Sequence, residues 1–263
     1  MSAELQIGRA SSQAHWYTKA GEAAYEVPKA SGSGFRPTTL RDARKLGLLP
    51  SVTSVMSIKA KPQLQNWIVR QAVMSALTLP RLDGESDDAF LSRVEQDRQA
   101  QARAAAEEGT RIHAAIEMHL LGQPYDAAYT AHVRGTMDAL AGIDSGAVWR
   151  PEKAFASFMG YGGKVDLHSA GTARHPDGIV LDFKTKDFSD GDKLKPYDEW
   201  AVQLAAYAYG LELERADRYS VVVSRDNPGL VWVHAWGRDS MDNHWRQFAH
   251  MLELWKLDRR YEP

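Results

Sequence analysis

The sequence predicts an α/β fold, a mixed central sheet flanked by helices and preceded by a helical N-terminal region. Three observations carry that expectation. Apolar residues fall at helical spacing from Ser51 to about Leu140, and the pattern turns strand-like after Gly142. Beyond that point the order reads three strands, helix, two strands, helix, which is the order of an α/β core. The composition, 44% hydrophobic and 25% charged over 263 residues, suits one compact globular domain with an extension.

Residues 1–50 read as irregular, punctuated by Pro28, Gly32-Ser33-Gly34, Pro37 and Pro50. The aromatics Trp16, Tyr17, Tyr25 and Phe35 argue against simple disorder there. A helical region over 51–145 follows. Leu64, Trp67, Ile68, Gln71 and Ala72 share a helical period, with Pro62 in the first turn. Asp83-Gly84-Glu85-Ser86 is a loop, and Ser86 or Asp87 caps the next helix. An Ala-, Arg- and Glu-rich helix runs on toward Leu121 with a break expected near Gly109. Gly122-Gln123-Pro124 ends it before a helix over Ala127–Leu140. In the core, 146–263, strands are expected over Ala147–Met159, Gly163–Ser169, Gly178–Lys184, Arg218–Ser224 and Leu230–Trp236. Helices are expected from Glu199 to Glu212 and from about Asp239.

Composition excludes several chemistries. With no cysteine there is no disulfide, thiolate zinc site, iron–sulfur cluster or cysteine nucleophile. A bound metal must take oxygen or imidazole ligands, as Mg²⁺ or Mn²⁺ do. No run approaches the roughly 18 apolar residues of a membrane span, and Met1–Arg9 lacks the features of a secretory leader. A cytoplasmic setting is therefore expected. Net charge is −2, but residues 1–75 carry ten Lys/Arg against four Asp/Glu, while 76–108 carry four against eight. The basic excess is either a seat for a phosphate backbone or an unevenly charged solvated surface.

The most informative segment is Gly160-Tyr-Gly-Gly-Lys-Val-Asp166, followed by Gly178-Ile-Val-Leu-Asp182-Phe-Lys184. Opposed residues of a hairpin are equidistant from its turn. Asp166 and Asp182 centre on Arg174, in the middle of the obvious turn Gly171–Gly178. In regular register the two carboxylates are cross-strand neighbours with Cβ atoms roughly 5 Å apart. Lys184, two residues beyond Asp182, points to the same face. Apposed carboxylates in a partly buried site demand a counter-charge, which a hard divalent cation supplies. The competing reading is a salt-bridged surface hairpin.

Asp166 followed by Asp182-Phe183-Lys184 resembles the core motif of the PD-(D/E)XK (restriction-endonuclease-like) nucleases. Further elements resemble its RecB-like branch: Gly109-Thr110-Arg111-Ile112-His113-Ala114-Ala115-Ile116-Glu117 is similar to a G-x-x-x-H-x-x-x-E helix, and Gln203-Leu204-Ala205-Ala206-Tyr207 to a Q-x-x-x-Y helix. Pro50-Ser51-Val52-Thr53, with Leu64 and Trp67, and Glu152 resemble the phage exonucleases and the mitochondrial genome-maintenance exonuclease. The matches span about Pro50 to Tyr209. The resemblance implies metal ligation by His113, Asp166, Asp182 and the Phe183 carbonyl, with Glu152 a further ligand. It implies catalysis by Asp166, Asp182 and Lys184 supported by Gln203 and Tyr207, and cleavage leaving a 5′-phosphate and a 3′-hydroxyl. It further implies an exonuclease on DNA ends, favouring single strands, in repair, recombination or phage DNA metabolism. Recombination and single-strand-binding proteins of phage or host are the partners expected of such an enzyme, in a bacterial or phage-infected cell. An endonuclease on duplex or branched DNA, and a non-cleaving DNA-binding protein, are the alternatives. Without cysteines the chain falls with members that lack an iron–sulfur cluster.

Other residues carry two readings each. Glu117 either orients His113 from the same helical face or pairs with Arg111 or Arg134. His119 completes no H-E-x-x-H. Lys186, Lys193, Lys195 and Arg111 are candidate phosphate contacts, the first three following the Asp182 strand closely, with a solvated basic loop as the alternative for those three. Trp16, Tyr17 and Trp67 are expected to pack in the core rather than stack on bases.

Overall fold

The computed structural model describes residues 15–60 and 62–263. The reading of Met1–Arg9 as leaderless, and the side chains of Pro62 and Leu64, lie outside the described residues. The segment expected to be irregular is folded. β1 (Trp16–Tyr17) pairs with β4 (Leu49–Pro50), and between them β2 (Glu26–Pro28) pairs with β3 (Phe35–Pro37). Helix α1 (Leu40–Leu46) follows β3 and precedes β4; it opens on a reciprocal cap in which Thr39 and Asp42 satisfy each other's amides and closes on left-handed Gly47. Such short strands have no period for a sequence reading to detect; turn chemistry and burial of Trp16 and Tyr17 hold them.

α2 (Val52–Met56) is capped by Ser51. α3 (Pro62–Thr78) begins at Pro62, and α4 (Asp87–Leu120) begins after Ser86, whose hydroxyl accepts from the Ala89 amide. The break expected at Gly109 is absent: α4 is continuous over 34 residues, since one glycine costs a helix only about 1 kcal/mol. α5 (Thr130–Asp144) follows, then β5 (Trp149–Ser157), β6 (Tyr161–Ser169), β7 (Ile179–Lys186), α6 (Asp198–Gly210), β8 (Asp217–Ser224), β9 (Val231–Trp236) and α7 (Met241–Arg259). These strands form one five-stranded sheet in the order β5-β6-β7-β8-β9, antiparallel except for β7 beside β8. A parallel pair needs a crossover, and α6 supplies it.

The chain divides into two compact units. Lys59–Arg111 make one unit, in which Arg93 holds Glu85 at 2.9 Å and Arg81 lies over the Phe90 ring at 4.6 Å. Trp67, expected in the core, is exposed there. The other unit joins the folded N-terminal segment, up to Ile58, to Ile112–Pro263. In this unit the sheet separates two apolar layers. Val165, Val180, Phe155 and Tyr161 pack with α2, α6 and α7. Leu167, Ile179, Leu181, Phe183 and Val221 pack with Ile112 and Ile116 at the end of α4 and with α5. The result is a mixed α/β architecture with a five-stranded central sheet flanked by helices. Among the described residues no helix is long and apolar enough to cross a membrane.

Candidate functional site

The hairpin of β6 and β7 keeps the expected register. Ser169 faces Ile179, His168 faces Val180 and Leu167 faces Leu181. The ladder stops at the next rung, where Asp166 and Asp182 belong. The Phe183 amide donates instead to Asp166 Oδ2 at 2.8 Å, so a carboxylate stands where the strands part. The other edge of β6 is interrupted at the same place. Pro151 pairs with Leu167 and Lys153 with Val165, but Glu152, opposite Asp166, is unpaired with φ of 55°. A left-handed glutamate within a strand is strained. It inverts the faces: Phe155 and Val165 lie in the α6 layer, whereas Trp149 and Leu167, of the same parity, lie in the α4–α5 layer. Beyond the break, β6 takes a different neighbour, and Gly162 bridges Ser51. A Cβ on Gly162 would stand 2.7 Å from the Tyr17 side chain, and one on Gly163 2.7 Å from Phe155, so the glycine pair in this strand admits close-packed rings rather than phosphate.

Asp182 is buried, 2% exposed, and on the α6 side with Val180. The Lys184 ammonium pairs with its Oδ2, as two-residue spacing along a strand requires. Gln203 ties the group together: its amide donates to Asp182 Oδ1 at 3.2 Å and to the Tyr207 hydroxyl at 2.8 Å, and its carbonyl accepts from Lys184 Nζ at 3.0 Å. Burial pushes the Asp182 carboxyl up to about 6; Lys184 opposes this and the Asp166 carboxylate adds to it. Burial also raises Asp166, against Lys184 and the Phe183 amide. Burial raises Tyr207 well above its ordinary value, reinforced by both carboxylates. One lysine therefore leaves negative charge in this site undercompensated.

On the other side of the opening, His113, Glu117 and Leu120 from α4 line a small recess with Glu152, Asp166 and Phe183. The His113 ring meets the Phe183 ring edge-on at 6.1 Å. Burial lowers His113 to about 4, with Asp182 opposing and Lys184 reinforcing, so its imidazole is neutral and able to ligate at neutral pH. Glu117 is not paired with Arg111, which binds Glu108 at 3.1 Å; Glu117 lines the recess and its charge adds to the rise at Asp166. Lys164 pairs with Glu152 at the rim. The donor set of carboxylates and one imidazole suits a hard divalent ion, and the recess has room for about one ion or water. Among the described residues, however, no three His, Asp or Glu side chains converge as a finished cage. Asp182 and Glu152 are each turned to a lysine.

Among the expected phosphate contacts, Lys186 and Arg111 have protein partners. Lys186 donates to the Tyr197 hydroxyl at 2.9 Å and lies over that ring at 4.5 Å. Lys193 and Lys195 are exposed in a loop that also carries Asp187, Asp190 and Asp192 and so is not a basic loop. Arg111 belongs to the other unit. Lys164, which pairs with Glu152 and acts on Asp166, escapes sequence reasoning, as does the contact of Tyr17 with Tyr25. Tyr17 is in the core as expected, yet feels Asp166 and Tyr207. The position of Lys164, two residues before Asp166, was a usable signal.

No family model matches the chain, and no curated protein matches it. Among solved structures, that described as the crystal structure of SSO0001 aligns over 74% of this chain and 86% of that one, with 11% identity and a TM-score of 0.31. A likeness that loose identifies no activity.

Proposed function

We propose that the chain is a metal-dependent deoxyribonuclease of the PD-(D/E)XK type, with its active centre at the opening between β6 and β7. The observation that carries the reading is the meeting at one broken rung of Asp166, Asp182 and Lys184, with Gln203 bridging the last two and His113 across the recess. Asp166, Asp182 and His113, with Glu152, would hold Mg²⁺ or Mn²⁺. When bound, such an ion acidifies water and neutralises phosphate oxygens. Lys184 orients the attacking water and meets charge developing on the phosphate. Gln203 sets the Lys184 ammonium and the Asp182 carboxylate against each other, and Tyr207 fixes Gln203. The raised pKa values of the two carboxyls support the reading, because buried acids short of counter-charge favour a cation.

Action at DNA ends, with single strands preferred, rests on the sequence resemblance to phage and genome-maintenance exonucleases. Labelled linear and circular DNA, single- and double-stranded, incubated with Mn²⁺ with and without EDTA, tests both points. Degradation of linear single strands only in the absence of chelator is expected. Cutting of circles would reassign the chain to an endonuclease, and a gel shift without degradation would reduce it to a DNA-binding protein.

A further inference from the structure

The gap left where β7 parts from β6 is lined by the N-terminal segment. Ser51 bridges Gly162, and the Ser51 amide donates to the His15 carbonyl at 2.9 Å, so the start of β1 is carried to the edge of the site. Tyr17 packs against Gly162 of β6, where burial raises its phenol and the Asp166 carboxylate adds a smaller push. Tyr17 also bridges Ala23, which brings Tyr25 alongside: the two hydroxyls are 2.6 Å apart and the rings stand at 89°. His15 then stacks on Tyr25, with ring centroids 4.5 Å apart and planes 27° from parallel. Trp16 and Tyr17 are buried, but His15 and Tyr25 are only half-buried. Lys164, whose side chain is 42% exposed, is near enough to His15 to act on its charge and pairs with Glu152 of the recess.

We propose that His15, Tyr25 and Lys164 form a nucleotide subsite beside the cleavage position, with an unpaired base against the ring pair and its phosphate against the ammonium. The subsite rests on the nuclease reading for its adjacency to a reacting phosphate. Flat rings accept any base, and duplex bases, already stacked on one another, cannot use them. The strand bridge at Tyr17 and the edge-on Tyr17 ring hold the ring pair in place before substrate arrives, which limits the ordering cost of binding. This surface therefore selects single strands by stacking rather than by sequence.

The test is fluorescence anisotropy of a labelled oligothymidylate and of a duplex of equal length. Ca²⁺ is present to limit cleavage, and the variants are His15→Ala, Tyr25→Leu and Tyr25→Phe. His15→Ala and Tyr25→Leu are expected to weaken single-strand binding about tenfold, with duplex binding changed less than about twofold. Tyr25→Phe, which keeps the ring and loses the hydroxyl bond, is expected to bind like the parent. Unchanged single-strand affinity, equal loss on both substrates, or a Phe variant as weak as the Leu variant overturns the subsite. Degradation of single strands by the parent chain in Mn²⁺ is scored separately. A parent that degrades DNA while Tyr25→Leu binds normally overturns the subsite alone. A parent that shows ring-dependent binding without degradation overturns the nuclease and keeps the subsite.

Discussion

The two ends of the β6–β7 hairpin share one register but not one purpose. Toward the turn, Leu167, Leu181 and Ile179 are fully buried in the layer beneath α4 and α5, and the ladder is closed. One rung further the ladder opens, Glu152 takes a left-handed backbone, and charges replace leucines. The closed end contributes stability by burying apolar surface. The open end does the reverse, since buried carboxylates with raised pKa values cost stability in the ion-free chain. Departure from ideal sheet geometry, more than any one residue, marks where function is proposed.

The sharpest way to break the comparison is to exchange the costs. Asp166→Asn keeps an oxygen for the Phe183 amide but removes a charge. DNA degradation in Mn²⁺ should fall on the order of a thousandfold, while the melting temperature in EDTA holds or rises. Retained degradation would exclude Asp166 from the chemistry. Leu181→Ala at the closed end should do the opposite, losing about 2–5 kcal/mol in urea unfolding with unchanged activity per folded molecule.

Acid titration sharpens it further, because two groups at the open end pull in opposite directions. Asp182 rises from 3.8 unfolded to about 6 folded, so the folded state holds the extra proton between those values and stability falls as pH rises through them. His113 drops from 6.5 to about 4, so there the unfolded state holds the extra proton and stability climbs over that window. In EDTA the two offset each other in the parent chain. Relative to the parent, Asp182→Asn should tilt the melting temperature toward a climb between pH 4 and 6.5, and His113→Gln should tilt it toward a fall between pH 4 and 6. Parallel profiles for both variants would show that neither group is coupled to folding as described. The smallest effect is expected at Glu152→Gly, which relieves the left-handed strain for about 1 kcal/mol of stability and weakens Mn²⁺ binding by calorimetry. Unchanged Mn²⁺ affinity would remove Glu152 from the ligand set.

Much of this was legible in the sequence. Strand and helix periods locate α5 through α7 and β5 through β9 closely, because each long element has one face buried and one period to display. The turn at Gly171–Gly178 fixes the register that brings Asp166 level with Asp182. The folded N-terminal segment was not legible, as strands of two or three residues carry no period. Nor was the fate of Lys186, since its ring partners Tyr197 and Trp200 lie across a loop.

Local spacing by itself determined the sheet-forming elements, the hairpin register and the shared face of Asp182 and Lys184, because these depend on neighbours along the chain or on a single turn. Tertiary structure alone decided that the rung opens at Asp166, that Glu152 inverts β5 opposite it, and that Tyr17 and Ser51 come to lie against β6 beyond the gap. Each of these is set by which distant backbone satisfies the groups a parting strand leaves unpaired, and no pattern within one strand records that choice.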